Sequence, residues 1–143
     1  MAGTAEATVT GFAVRNYRFG VAENGTSGDW TVTDTTVIAA DVGVYAPNTT
    51  GDWTIESAAV SSTTYSGVFA ARTTGAWSVQ NTTIKSRQQG IHAVETNASW
   101  TVSGSTISVT ADRNAIGVDA RSASEGWSLD DVTIDSPGIE VAE

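Results

Sequence analysis

The apolar residues of the chain come in short alternating runs, such as Trp30-x-Val32, Val44-x-Ala46 and Trp53-x-Ile55. Alternation of period two over three or four residues predicts β-strands, because successive side chains of a strand point to opposite faces. The runs recur. Tryptophan stands at positions 30, 53, 77, 100 and 127, and ten residues before each stands a glycine: Gly20, Gly43, Gly67, Gly90 and Gly117. Val21, Val44, Val68, Ile91 and Val118 follow those glycines. Two residues after each Trp comes Val32, Ile55, Val79, Val102 or Leu129, and seven after it Val37, Val60, Ile84, Ile107 or Ile134. The period is 23 or 24 residues, stretched once to 27. A weaker first copy puts Ala7 in the Trp place, with Thr8, Val9 and Val14 in register behind it.

A repeat of this length with strand alternation predicts a β-solenoid. β-Branched Thr and Val are abundant, and no 3.6-residue period is present. Leucine-rich repeats share the length, but Leu129 is the only leucine. The expected fold is therefore all-β, one domain over residues 1–143, with about six coils of 23–24 residues and three short strands per coil. The coils begin near Ala7, Trp30, Trp53, Trp77, Trp100 and Trp127. Four residues past each start lie Gly11, Asp34, Ser57, Asn81, Gly104 and Asp131. Gly, Asn and Asp tolerate a left-handed backbone, so this column predicts a tight turn with positive φ, with the Ser57 coil slightly strained or differently turned.

These features together resemble the right-handed, single-stranded parallel β-helix of the pectate-lyase-like superfamily, over Ala7 to Val141. The coil length, the tight turn with its Asn-like ladder and the Gly-Val strand all match. The resemblance implies architecture and carries no catalytic motif.

Strand alternation sets directions. If Val32 points inward, so does Trp30, and five indoles should stack about 4.8 Å apart inside the coil. Burying roughly 200 Å² each, they would contribute on the order of 5 kcal/mol apiece before entropy is subtracted. Their N–H groups then need backbone carbonyls or Thr hydroxyls as acceptors. The outward neighbours Thr8, Thr31, Thr54, Ser78, Thr101 and Ser128 form a hydroxyl column, which sheet pairing explains more simply than ice binding. On the Gly-Val strand the outward column reads Ala22, Tyr45, Phe69, His92, Asp119 and Glu140. In polysaccharide-cleaving relatives this face carries the active site. His92 and Asp119, with Arg121 behind, would be its acid/base pair. No facing carboxylates of the kind glycoside hydrolysis uses accompany them. Tyr45, Phe69, His92 and Asp119 are therefore expected to be a contact patch for another subunit or a glycan, and the protein not to be an enzyme.

Composition narrows the partners. The net charge is −9 and the pI about 4.3, so nucleic acid and anionic lipid are disfavoured. The acidic, lysine-poor composition is similar to that of proteins from high-salt environments. There is no cysteine and no apolar run long enough to span a membrane, and no cofactor or metal is expected. No signal peptide follows Met1. Asn24, Asn48 and Asn97 each begin an N-x-[ST] triplet in the same loop of three coils. They are candidate glycosylation sites along one edge, which would mean export. The chain opens on a Trp-type strand and closes on a Gly-type strand, which suggests complementary half-coils. Thr8, Val9, Ile139 and Val141 are then the assembly ends. The expected function is a structural subunit of an extracellular or cell-surface filament, built by head-to-tail stacking of uncapped ends. The alternatives are a carbohydrate-binding or polysaccharide-cleaving module and a segment of a viral tail fibre.

Overall fold

The computed structural model describes residues 6–111, 114–124 and 126–143. It is an all-β solenoid of six coils with parallel strands throughout, as the period predicts. Coil 1 holds β1 (Ala7–Thr10) and β2 (Ala13–Ala22), and coil 2 holds β3 (Trp30–Thr33) and β4 (Thr36–Tyr45). Coil 3 holds β5 (Trp53–Glu56), β6 (Ala59–Ser62) and β7 (Ser66–Phe69), and coil 4 holds β8 (Trp77–Gln80), β9 (Thr83–Ser86) and β10 (Gln89–His92). Coil 5 holds β11 (Trp100–Ser103), β12 (Thr106–Val109) and β13 (Ile116–Asp119), and coil 6 holds β14 (Trp127–Asp130), β15 (Thr133–Asp135) and β16 (Ile139–Ala142). Three strands per coil hold in coils 3 to 6. In coils 1 and 2 the second and third strands run together through the corner as ten-residue strands.

The Trp-type strands form one face, in the order β1-β3-β5-β8-β11-β14. Trp30, Trp53, Trp77, Trp100 and Trp127 stack inside it with ring centroids 4.8, 4.8, 4.7 and 5.1 Å apart and planes within 9° of parallel. Val32, Ile55, Val79 and Val102 beside them are fully buried. Trp77 and Trp100 donate Nε1–H to the hydroxyls of Thr73 and Thr96, four residues upstream, at 3.1 and 3.2 Å. Trp30 and Trp53 have no such partner.

The repeated glycine and the Val/Ile seven residues past the Trp are one feature. A Cβ on Gly20, Gly43, Gly67, Gly90 or Gly117 would run into the branch methyl of Val37, Val60, Ile84, Ile107 or Ile134 of the following coil, and into a backbone carbonyl. The strand corner closes only because one column gives up its side chain to the other.

All six residues of the tight-turn column have positive φ, from 48° at Asn81 to 68° at Gly11. Ser57 makes the same turn at 52°, at a cost of about 1 kcal/mol that Gly, Asn or Asp largely avoid. A second left-handed column runs through Gly25, Asn48, Arg72, Glu95 and Ser122, after the third strand.

The last coil corrects the expected half-coils. β16 pairs in register with β13, so coil 6 has all three strands, and coil 1 likewise carries its second and third strands, fused in β2. Its alignment also differs from the expected one. Val141 pairs with Val118, and Asp119 with Ala142, so Ala142 takes the outward place expected for Glu140. Ile139 and Val141 are two residues apart and point the same way under either alignment. The alternation therefore could not tell the two registers apart.

Candidate functional site

The third-strand face carries the chemistry. Tyr45, Phe69, His92 and Asp119 occupy one column on β4, β7, β10 and β13. Phe19, Tyr45, Phe69 and His92 stack with centroids 4.4, 5.4 and 4.6 Å apart. Tyr65 leans against both Phe69 and His92 at 6.3 Å. Arg18 covers Phe19 from 5.1 Å and pairs with Asp41 at 2.7 Å. The rings lie face to face along the solenoid axis, so the strip shows solvent their edges. Tyr45 and Phe69 have both faces covered, which leaves no free face there for a stacked sugar ring.

Asp119 is not the exposed contact residue that its outward position suggests. It is fully buried. Arg121, two residues on, folds back and clamps it with two hydrogen bonds of 2.8 Å, from Nε to Oδ1 and from a terminal nitrogen to Oδ2. Gln89 donates to Oδ2 at 3.0 Å, and Ser66 donates to the Gln89 carbonyl at 3.1 Å. His92 Nδ1 lies 3.5 Å from the same Oδ2 without making a hydrogen bond. Burial pushes the Asp119 carboxyl up, but the Arg121 hydrogen bonds and charge, helped by His92, outweigh it and hold the group below the usual range. Burial also lowers the His92 pKa; Asp119 opposes that shift, and Arg121 and Arg72 add to it. His92 is thus neutral at neutral pH. Asp119 is sealed and already committed to a guanidinium, so it serves as a structural ion-pair partner and not as an accessible base.

The other sequence-derived residues fall as follows. Asn24, Asn48 and Asn97 are exposed in one loop but at three different places along it. Asn48 occupies the left-handed position, Asn24 precedes that position and Asn97 lies two beyond it. Asn48 donates to Asn24 at 3.4 Å and accepts from Arg72 at 3.1 Å. The hydroxyl of Thr26, third in the first triplet, is buried. Thr8 and Val9 lie on the edge strand β1, and Ile139 and Val141 on the edge strand β16. Sequence reasoning did not single out Gln89, Ser66 or the buried Thr26, Thr49, Thr73 and Thr96, although the last four stand at a constant four residues before a Trp.

No curated protein and no solved structure matches the chain. A family model does match, over residues 2–129: periplasmic copper-binding protein (NosD). Copper favours imidazole, thiolate and thioether ligands. The chain has no Cys, one Met and one His. The Nδ1 atom of that His is turned toward a carboxylate already held by Arg121, and no cluster of three or more His, Cys, Asp or Glu suited to a metal occurs among the described residues. The residues here do not fit a copper centre. The family model nevertheless covers residues 2–129, most of the chain, and the chain belongs to the NosD family.

Proposed function

We propose that the protein is a non-catalytic structural β-solenoid that works outside the cytoplasm and assembles head to tail into a filament. The observation that carries this is where apolar surface remains. Among the described residues the exposed large hydrophobics are Phe12 (64%), Tyr17 (64%) and Ile139 (52%), all on the first or last coil. The buried hydrophobic residues of the middle coils are 0–6% exposed. An exposed apolar end next to unpaired strand edges is a template for more of the same fold. The periplasmic description of the family supports a location beyond the cytoplasmic membrane.

Electron microscopy and light scattering of the purified protein test this. Thin unbranched rods whose mass grows with concentration are expected. A compact 14.8 kDa particle at every concentration and salt level would sink the proposal. A fixed threefold mass would favour a trimeric fibre segment instead.

A further inference from the structure

The columns of the solenoid can be continued past its ends, and they then make a specific prediction about the junction. Resting on the head-to-tail assembly above, we propose that a second copy of this chain docks in uninterrupted register on coil 6, with Arg15 of the incoming copy against Asp135. One column runs Arg15, Ile38, Ser61, Lys85, Ser108 and Asp135 through successive coils. Neither Arg15 nor Asp135 makes an ion pair among the described residues, whereas Arg18 in the same coil is held by Asp41. Continued by one rung of about 4.8 Å, Asp135 comes directly opposite Arg15 of the next copy, where unlike charges attract.

The neighbouring columns agree on the same register. Phe19, Val42, Ser66, Gln89, Ile116 and Ile139 are backbone partners in one register, so Ile139 would pair with Phe19 of the next copy. The Phe12 position corresponds to Thr35, Ala58, Thr82 and Ser105 in the middle coils, all buried, and to Val132 in the last. Exposed Phe12 of the incoming copy would therefore cover Val132. The backbone continues too. The tight-turn N–H of each coil donates to the next coil, as Gly104 does to Asp130 at 3.0 Å. Asp131 would find the Thr10 carbonyl of the next copy in the same way. Charge gives the junction its polarity. Coil 6 carries Asp130, Asp131, Asp135, Glu140 and Glu143 without a Lys or Arg, so two such ends repel, while the opposite end offers Arg15.

The test is a charge swap across the junction. Arg15→Asp and Asp135→Arg are each expected to raise the concentration needed for assembly about tenfold or more, since each sets like charges face to face. The double variant should return it to near the starting value. Mixing the two single variants should also restore rods, because the reversed head of one meets the reversed tail of the other. Both residues lie on the surface, and an unchanged Trp circular dichroism signal and melting temperature will show that each variant is folded. Loss in both singles with recovery in the double and in the mixture supports the register. Rods that form equally well in every single variant, or no recovery in the double and the mixture, overturn the register and leave the filament standing. Monomers alone, for the unaltered protein too, overturn both.

Discussion

Gly67→Ala isolates the interlock that closes each coil. The glycine does not have a positive φ, so the usual backbone reason for a glycine is missing. Without a clash, Gly→Ala would stabilise the protein by about 0.4–1 kcal/mol through the unfolded state. A Cβ at Gly67, however, would fall inside contact distance of Ile84 Cγ2 and 2.9 Å from the Gly90 carbonyl oxygen. Overpacking of this kind typically costs about 1–3 kcal/mol, and here one of the two opposing groups is backbone in a ladder and cannot swing away. The net expectation is a loss of about 2 kcal/mol, or a melting temperature lower by roughly 4–8 °C for a chain near this size. Ile84→Ala alone should cost about 2–5 kcal/mol for the cavity it leaves. In the double variant the new methyl moves into that cavity, so the two losses should fall short of adding by about 1–3 kcal/mol. Urea titration of the four proteins with a common slope measures this. Strict additivity, or a Gly67→Ala variant as stable as the parent, would refute the interlock.

Ser57→Asn should stabilise the protein by about 0.5–1 kcal/mol, because φ there is 52° and Asn adopts it more readily; thermal melts measure it. Stability should fall on acidification in two steps. His92 has a lowered folded pKa, so its contribution is complete above the unfolded value near 6.5 and is lost as pH drops from there through the folded value. His92→Phe keeps the ring stack and should abolish that first step in melting temperature against pH. Asp119 also has a lowered folded pKa, so its contribution is present above the ordinary carboxylate range and is lost below it. Arg121→Gln removes the group that holds the carboxyl down and should move the acid unfolding midpoint to higher pH, with no such move in an Arg18→Gln control. Copper(II) followed by electron paramagnetic resonance should show no tight site, and His92→Ala should leave its weak binding unchanged. A stoichiometric signal lost with His92 would contradict the donor analysis.

The coil period, the tryptophan stack and the first left-handed turn were legible in the sequence because each rests on a residue type that few alternatives can replace. The second left-handed column was not. Arg72, Glu95 and Ser122 carry no mark of their positive φ, which is imposed by the ladder bonds on either side and by the buried Thr that follows at 73 and 96. The candidate site was half legible. Strand parity placed Tyr45, Phe69, His92 and Asp119 in one column. Parity says nothing about cover, and Asp119 is buried because a flexible Arg two residues later wraps over it. The fused strands β2 and β4 also escaped notice, since the polar residues at their corners, Arg15 to Arg18 in β2 and Asp41 in β4, read as a turn between two strands although the ladder runs on through them.

Constant register has a consequence for how such a chain comes to be folded. Along the Trp face, paired residues of successive coils lie 23 or 24 apart, and 27 apart at the one longer connection. Closing each such loop costs nearly the same entropy, since the cost rises only with the logarithm of its length. The expensive event is the first pairing of two coils, and every later coil is laid down on a finished template at a uniform increment. Growth of this kind resembles a zipper with no preferred starting tooth. Whole coils could then be removed from or added to the middle of the chain with little effect on the rest, whereas a single inserted residue inside a strand would throw that rung out of phase with both neighbours.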